Sequence, residues 1–407
     1  MTDFGDTSPS EAVAIMAERT RPVGGTRLTI DEPADLAGRV LAEPLRLDRD
    51  SPACDVSAMD GYAVRHAELR AGPLPVAGEC RIGQPPAELP DAAALKIFTG
   101  SPLPRGADSV ARLEWVEARD DRIQFSGGRE VFLGQDVRRQ GENSKRGEIV
   151  LPSGVALSMA AVGALTSIGP ASVVCYEAIS VAVLTTGDEV VSHRDSIQMG
   201  DDFPAWRLRN SNEQVLRSLA RSMPFVADLH ACSPADDAGA LAAALRDAVA
   251  QADVVVLTGG VSKGEYDFVR DAVLEVGGEV LFHGVTARPG RPTLGAVVGD
   301  VPVLGLPGNP VAVLTTSRRL LTPVLRRRAG VERFDPPAPL ASIDEWRGKT
   351  LPLTWWRPVT LVGPGVATLA SLKGSGDVCG PATTDGFIEA PPGANHTGPF
   401  PFYPWTP

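Results

Sequence analysis

Hydrophobic residues along the chain form runs of different kinds, and the longest apolar runs lie in the second half. The segments 179–186, 253–258 and 301–306 read ISVAVLTT, DVVVLT and VPVLGL. Near-continuous apolar runs of this length are typical of strands that are covered on both faces of a parallel sheet. The pattern therefore predicts three buried strands in this region.

Helical patterns separate these strands. Ser211–Arg221 is a predicted helix with a possible capping box from Ser211 to Gln214, and further helices are predicted over 268–276 and 314–321. Another predicted helix carries an apolar stripe formed by Leu241, Leu245 and Val249. Alternating strands and helices predict an α/β domain over 179–330, with a parallel sheet and right-handed crossovers.

The first half of the chain has a different texture. Helices are predicted after a cap at Ser8 or Ser10 and over 33–42, and a turn and an apolar helix over 147–170. Between them, short apolar pieces alternate with Gly, Pro and Asp, which predicts strands near 74–77, 96–98, 109–113, 122–125 and 131–133. We therefore predict a β-rich domain (51–146) inserted into a helical linker domain (1–50 and 147–178). A small C-terminal β domain is predicted over 331–407.

Composition narrows the class of protein. The chain has 407 residues, which favours several domains, and its net charge of −11 and aromatic content of 5% argue against binding to nucleic acid. Five widely spaced cysteines without a C-x-x-C pair indicate reduced thiols and no zinc site. No apolar run approaches the roughly 20 residues of a membrane span, and no signal peptide is recognisable. We expect a soluble cytoplasmic protein.

Glycine-rich loops follow the three apolar runs, with the sequences TTGDEVV, TGGVSKGEYD and GLPGNPVAV. Ligands bind at the carboxyl ends of strands in open α/β sheets, and glycines let backbone amides approach phosphate oxygens. A single such loop is more often only a turn, but three in one sheet favour a phosphate site. The candidate binding residues are Gly259, Gly260, Ser262, Gly264, Pro307, Gly308 and Asn309.

Acidic residues occupy the first two of these loops, at Asp188, Glu189, Glu265 and Asp267. Carboxylates beside phosphates repel them unless a cation lies between, and Mg²⁺ suits that position. The four acids are therefore candidate metal ligands, although Asp267 is equally consistent with a simple helix cap.

The sequence RPGRP displays two guanidinium groups, Arg288 and Arg291, on a turn stiffened by prolines. Guanidinium groups suit an oxyanion, so both arginines are candidate ligands of an anionic substrate. A solvated surface turn is the alternative.

Together with further motifs, these loops resemble the molybdopterin molybdotransferases, the MoeA and gephyrin E-domain family. The similarity runs along nearly the whole chain, and SAMDGYA and GLPGNP are its most specific signatures. The other matching segments are FTGSPLPRGADSV (98–110), RRQGENSKRGEIVLPSG (138–154), RNSN (209–212), GSGD (374–377) and DGFIEAP (385–391).

The resemblance implies a homodimer of four-domain subunits, with the active site between the α/β domain of one subunit and the β-rich domain of the other. It implies adenylylated molybdopterin and molybdate as substrates, Mg²⁺ as cofactor and AMP as a released product. Other proteins of molybdenum cofactor biosynthesis are candidate partners.

The matching motifs carry functional roles onto particular residues. Asp60, Thr99, Glu189 and Asp267 match catalytic polar positions, and Asp236 matches a substrate-binding position. The resemblance implies that Asp60 and Thr99 come from the partner subunit. Arg288 and Arg291 stand where the family usually has the lysines of K-P-G-K-P, so the charge is kept while the geometry differs.

The chain also departs from the family pattern. Asn143 stands in G-E-N where the family has G-E-D, Gly284 replaces a common lysine, Lys263 occupies a usually apolar position, and 193–208 is unlike the usual linker. Two other functions therefore stay open: a non-catalytic protein that binds the pterin nucleotide or scaffolds partners, and a CinA-type nucleotide hydrolase. The amide of Asn143 favours the former, and the SAMDGYA motif argues against the latter.

Overall fold

A computed structural model describes residues 5–125, 131–261, 268–374 and 376–407. The chain folds into two compact units. The main unit contains Met1–Glu43, Pro152–Gly163 and Ala171–Pro407, and the second unit contains Pro44–Leu151 and Ala164–Pro170. The second unit is thus inserted into the chain of the main unit. The four-domain boundaries given above remain a prediction.

The elements are numbered in chain order. The helices are α1 (Pro9–Arg19), α2 (Met159–Ile168), α3 (His193–Met199), α4 (Ser211–Arg221), α5 (Ala238–Gln251), α6 (Val269–Glu275), α7 (Pro310–Thr316) and α8 (Thr322–Arg328). Single 3-10 turns occur at Pro33–Leu36, His66–Glu68, Leu113–Trp115, Gly200–Asp202 and Gly380–Thr383.

The strands of the first half are β1 (Gly25–Thr29), β2 (Leu45–Arg46), β3 (Val56–Ser57), β4 (Gly61–Val64), β5 (Leu74–Cys80), β6 (Ala94–Ile97), β7 (Ser109–Arg112), β8 (Val116–Arg119), β9 (Arg122–Phe125), β10 (Val137–Arg138), β11 (Ile149–Leu151) and β12 (Ser172–Tyr176). Those of the α/β region are β13 (Ile179–Thr185), β14 (Val190–Val191), β15 (Leu208–Arg209), β16 (Val226–Cys232), β17 (Val254–Thr258), β18 (Glu279–His283), β19 (Ala287–Arg288), β20 (Leu294–Val298) and β21 (Val301–Leu306). The C-terminal strands are β22 (Leu340–Ile343), β23 (Thr354–Gly363), β24 (Val366–Leu369), β25 (Gly386–Ala390) and β26 (Phe400–Pro404).

A six-stranded sheet forms the centre of the main unit, in the order β16-β13-β17-β21-β20-β18. The three predicted strands are confirmed as β13, β17 and β21, which pair in parallel with one another, and β16 is parallel to β13. The predicted parallel sheet is thus confirmed for these four strands, and β20 is the exception, since it runs antiparallel to β21 on one side and to β18 on the other. Only Gly299 and Asp300 join β20 to β21, and so short a link permits a hairpin but no crossover.

The helices of this region follow the predicted pattern with shifted ends. Helix α4 has the predicted bounds, but Asn210 is its cap, since the Asn210 side chain accepts a hydrogen bond from the Glu213 amide at 3.1 Å. The predicted cap at Ser211 is wrong by one residue. The helix predicted over 314–321 instead begins at Pro310 and continues through a π-helical turn (Ser317–Leu321) into α8.

The N-terminal helix is confirmed and the second predicted helix is not. Ser8 caps α1 and forms a reciprocal capping box with Glu11. The segment 33–42 holds a single 3-10 turn and no α-helix. Its apolar residues Val40 and Leu41 form β-bridges to Ala156 and Cys175, so tertiary pairing replaces the helix that the pattern predicts.

The C-terminal part of the chain is a small closed β-barrel. Its strands run in the order β19-β23-β24-β22-β26-β25, and an additional pairing of β23 with β25 closes the sheet. Phe400 and Phe402 lie in the core of the barrel, whereas the buried rings of Trp356 and Phe387 pack into the core of the α/β region. The edge strand β19 comes from the α/β region and pairs in parallel with β23.

The second unit is built on a six-stranded sheet in the order β7-β4-β6-β5-β9-β8. Four of the five strands predicted there are present, as β5, β6, β7 and β9. The predicted strand over 131–133 is absent. That segment is a turn, in which the Gln135 amide donates to the Phe132 carbonyl and the Gly134 amide to the Ser109 hydroxyl.

Within the described residues, every helix is too short or too polar to cross a bilayer.

Candidate functional site

The three predicted loops meet at one edge of the central sheet, because their strands are adjacent and parallel. At the ends of β13 and β17, the Thr186 amide donates to the Thr258 carbonyl at 3.1 Å. At the ends of β17 and β21, the Gly259 amide donates to the Leu306 carbonyl at 3.2 Å. The carboxyl ends of these strands therefore form one continuous loop surface.

Glycine is required where the loops touch. Gly259 has a φ of +90°, and a Cβ at this position would lie 2.6 Å from Thr186 Oγ1. Gly260 has a φ of +59°, and a Cβ on Gly308 would lie 3.5 Å from Gly259 Cα. A side chain at position 259 would push the first and second loops apart, so close contact of the loops depends on this glycine.

Asn212 joins this surface, although the sequence motifs did not single it out as a site residue. Its Nδ2 donates to the Gly308 carbonyl at 2.8 Å. Its Oδ1 is buried and has no hydrogen-bond partner among the described residues. Asn212 belongs to the RNSN segment, which indicates the family but no role for this residue. Only the fold shows that α4 begins beside the third loop and so brings Asn212 to Gly308.

Two acids of the first loop act electrostatically on a third acid, Asp236. Asp188 and Glu189 follow β13, and Asp236 follows the neighbouring strand β16. Burial, and then the charges of Asp188 and Glu189, raise the pKa of Asp236 above its usual range. The segment 207–208 holds the first loop in place, since Arg207 Nη1 donates to the Asp188 carbonyl and the Leu208 amide to the Glu189 carbonyl, both at 2.8 Å.

The rest of the predicted second loop, namely Ser262, Lys263, Gly264, Glu265 and Asp267, lies outside the described residues. The parts of the chain that the structure describes contain no group of three or more His, Cys, Asp or Glu side chains that could hold a metal ion. Of the four predicted carboxylate ligands, only Asp188 and Glu189 therefore lie in the described chain.

A cavity of about 600 Å³ opens between the α/β region and the barrel. Arg288, Arg291, Pro307 and Asn309 all line it, so the structure brings the RPGRP turn together with the third glycine-rich loop. Gly290 has a φ of +114°, and a Cβ there would lie 2.9 Å from Trp356 Cζ3. The turn thus packs directly on the barrel while both arginine side chains stay exposed.

Arg357, from β23 of the barrel, is a third cation on the wall of this cavity. Its Nη1 is buried without a hydrogen-bond partner among the described residues. Burial lowers the pKa of Arg357 to about 10, which still leaves it protonated at neutral pH. No motif in the sequence marked this arginine, because its proximity to Arg288 depends on the pairing of β19 with β23.

Asp60 and Thr99 lie together in the second unit. The Thr99 amide and the Thr99 hydroxyl both donate to Asp60 Oδ1, at 2.7 Å and 2.9 Å. These two hydrogen bonds, in that order, hold the pKa of Asp60 below its usual range. The pair therefore presents an ionised carboxylate at the surface of the unit.

Two of the departures from the family pattern, Asn143 and Gly284, lie in the described chain. Asn143 Oδ1 accepts a hydrogen bond from Arg138 Nη2 at 2.6 Å, and the same guanidinium pairs with Glu142. Gly284 has a φ of +101°, a conformation that a lysine side chain would strain. The backbone at position 284 therefore favours the glycine found there.

These features define a class: a multidomain α/β protein with an inserted β-rich unit, a closed C-terminal barrel and a polar site at the carboxyl edge of its main sheet. Comparison with known families gives two matches. Residues 7–169 match the MoeA N-terminal region (domain I and II), and residues 182–327 match a probable molybdopterin binding domain.

Individual relatives agree with these family matches. A molybdopterin molybdenumtransferase from Haemophilus influenzae is 35% identical over 313 residues, which are 76% of this chain and 75% of the relative. One from Synechocystis sp. is 28% identical and covers 98% of this chain and 100% of the relative. A solved molybdopterin biosynthesis MoeA protein from Pyrococcus horikosii is 27% identical with a TM-score of 0.75, covering 99% of this chain and 100% of that one. The chain belongs to the molybdopterin molybdenumtransferase (MoeA) family, a family of transferases in molybdenum cofactor biosynthesis.

Proposed function

We propose that this protein inserts molybdate into adenylylated molybdopterin and releases AMP. The observation that carries the proposal is the single edge of the main sheet at which glycine loops, an acidic group and a cationic cavity occur together. The glycine loops suit the phosphates of a nucleotide, and the cavity suits an oxyanion. Family membership supports the identity of both substrates.

The arginines of the cavity are proposed to bind molybdate. Arg288 and Arg291 are exposed on their turn, and within the described chain neither forms an ion pair. Together with Arg357 they place three positive charges around one cavity in a chain whose net charge is −11. Guanidinium groups bind tetrahedral oxyanions through paired N–H donors, so this wall favours a dianion over a neutral ligand.

Two of the four predicted metal ligands, Asp188 and Glu189, lie in the described chain. Burial, and then the charges of Asp188 and Glu189, raise the pKa of Asp236, and a cation near these carboxylates would relieve the repulsion among them. Oxygen ligands of this kind are those that Mg²⁺ prefers. We propose that Asp188 and Glu189, with Glu265 and Asp267, would hold Mg²⁺. The ion would supply positive charge beside the phosphate oxygens of the substrate.

The remaining proposed roles come from the family pattern. Asp60 and Thr99 are proposed to act in the active site of a homodimer, with Thr99 keeping the carboxylate of Asp60 ionised. Gly259, Gly260, Gly308 and Asn309 are proposed to contact the phosphates through backbone amides. A cytoplasmic location is proposed, in keeping with the cysteine pattern.

AMP release by the purified protein tests the proposal. Adenylylated molybdopterin, molybdate and Mg²⁺ should yield AMP, and Glu189→Gln should lower the rate by at least about 100-fold because a charged group in the site is lost. Glu18→Gln changes an exposed acid on α1 and serves as the matched control. The proposal fails if the wild-type protein releases no AMP, or if Glu189→Gln is as active as Glu18→Gln.

A second candidate function is binding of the pterin nucleotide without turnover. Asn143 favours it, because an amide replaces a carboxylate of the family pattern and accepts a hydrogen bond from Arg138. This candidate predicts tight nucleotide binding without AMP release in the wild type, and AMP release in Asn143→Asp. AMP release by the wild-type protein at the same rate as by Asn143→Asp would exclude this second function.

A further inference from the structure

Two tryptophans enclose the guanidinium of Arg357. The Arg357 carbon Cζ lies 4.3 Å from the ring centroid of Trp355 and 5.2 Å from that of Trp346. The two rings meet edge to face, with centroids 6.2 Å apart and an interplanar angle of 84°. Both distances are within the range of a cation–π contact, so the cation is attracted by both rings. We call these two residues the tryptophan clamp.

The clamp is a built feature of the barrel. Trp346 packs against the buried ring of Phe400, with centroids 6.0 Å apart. At Gly348, just after Trp346, a Cβ would lie 2.9 Å from Trp355 Cη2 and 3.6 Å from Arg357 Nη1, and its φ is +126°. Only glycine lets the loop pass this close to both side chains, so the loop that carries Trp346 is fitted to the clamp.

The guanidinium in the clamp has no counter-charge from the described chain. Arg319, the buried arginine of the π-helical turn, pairs with Glu389 and Asp335. For Arg357, neither a hydrogen bond nor an ion pair to its guanidinium is present among the described residues. A cation held by ring faces keeps its N–H groups available, because stacking does not use them. Nη1 is buried in the clamp, so the donors that remain for a ligand of the cavity are those of Nε and Nη2.

We propose that Trp346 and Trp355 are positioning residues for oxyanion binding: they fix Arg357 so that its guanidinium, with Arg288 and Arg291, binds the molybdate in the cavity. The identity of the oxyanion rests on the proposed function. The clamp takes the place of the carboxylate that would ordinarily hold a buried arginine. A carboxylate there would offset the positive charge that attracts the anion, whereas indole rings leave it intact.

Titration calorimetry with molybdate alone tests this proposal without requiring turnover. Trp346→Leu and Trp355→Leu should each raise the dissociation constant for molybdate by about 10-fold, since a desolvated cation–π contact contributes an amount that corresponds to roughly this factor. Trp346→Phe keeps an aromatic face and should stay within about 3-fold of wild type. Trp115→Leu is the matched control. In the wild type, Trp115 contacts Arg112, which already pairs with Asp136, so the substitution should leave the affinity for molybdate unchanged.

Steady-state kinetics separate positioning from a structural role. The clamp variants should raise the KM for molybdate, while the KM for the pterin nucleotide and the thermal midpoint stay at wild-type values. Unchanged molybdate affinity in both leucine variants would overturn the proposal, as would a parallel loss of stability and of nucleotide binding. A wild-type protein that binds molybdate through the clamp but releases no AMP would refute the proposed function alone. A wild-type protein that binds no molybdate would refute the clamp proposal.

Discussion

At the scale of single residues, neighbouring hydrogen bonds and charges set the chemistry of the acids. Asp60 and Asp236 are both aspartates near the surface of their units, yet their pKa values shift in opposite directions. Two donors from Thr99 lower the pKa of Asp60, whereas burial and two adjacent carboxylates raise that of Asp236. The first residue is therefore a stable anion, and the second gains from a nearby cation.

Thr99→Val is predicted to raise the pKa of Asp60 toward its ordinary value, because the hydroxyl donor is lost while the backbone donor remains. An aspartate whose pKa is lowered in the folded state contributes stability at pH values above its ordinary pKa. This contribution is lost as the pH falls through the folded-state pKa. In the variant, the acidic pH range over which Asp60 contributes this stability should therefore be narrower. Carboxyl carbon NMR titration measures the effect, and Thr99→Ser, which keeps the hydroxyl, is the control. Equal pKa values in Thr99→Val and wild type would contradict the prediction.

Sequence reasoning identified residues that carry a recognisable motif and missed those defined by their surroundings. Gly259 and Arg288 were identified because loop glycines and turn arginines have a known use. Arg357 was missed, since an unpaired guanidinium between two rings is a property of the tertiary structure alone. Asn212 was missed for the same reason, because its contact with Gly308 appears only when α4 is placed beside the third loop.

At the scale of elements, α4 depends on its cap. The Asn210 side chain accepts from the Glu213 amide and donates to Thr185 Oγ1 at the end of β13, at 3.3 Å. Asn210→Ala is predicted to lower the free energy of unfolding by about 1–2 kcal/mol, since both contacts are lost. Urea denaturation measures the change. Ser211→Ala, at the cap position that the sequence pattern suggested, should cost less than about 0.5 kcal/mol, and a reversed order would show that Asn210 is not the cap.

Apolar patterns predicted the existence of strands better than their direction or their partners. The three long apolar runs became β13, β17 and β21, because only a doubly covered sheet can bury them. The antiparallel β20 is just as apolar, and hydrophobic pattern alone does not record which way a strand runs. The segment 33–42 also has a helical pattern, but its bridges to distant residues prevail over local preference.

At the scale of the whole molecule, one buried network ties the α/β region to the barrel. Arg319, which is 3% exposed, donates from Nε to Glu389 Oε2 at 3.0 Å and from Nη2 to Ser10 Oγ at 3.1 Å. Trp356 Nε1 donates to the same Glu389 oxygen at 2.8 Å. Arg319 and Glu389 together thus join the π-helical turn to α1 and to the barrel strands β23 and β25.

Glu389→Ala is predicted to lower the free energy of unfolding of the main unit by about 3–5 kcal/mol, because it leaves the buried Arg319 without its nearest counter-charge. Guanidinium chloride denaturation measures the change. The double variant Glu389→Ala with Arg319→Met should recover part of the loss, since it removes the unpaired charge as well. A double variant no more stable than Glu389→Ala alone would show that the charge pair is not the cause.

The overall organisation was predictable to the level of fold class and family, and the joining of its parts was not. Motifs spread over the chain indicated the MoeA family, and the comparisons confirm it. The apolar pattern does not record the reversed direction of β20, and the incorporation of β19 into the barrel depends on its pairing with β23, a segment far along the chain. Patterns read along one segment do not specify such pairings.

The strand β19 has a consequence for dissecting this protein. Because two residues from the middle of the chain form the edge strand of a barrel whose other strands lie near the C-terminus, cutting the chain between α8 and β22 would separate the barrel from that strand. A shortened chain would lose the partner strand that orients Arg288, and Gly290 would lose the indole against which it packs. The barrel is thus inseparable from the arginine turn: exchanging barrels between homologues would require the turn to be exchanged with them.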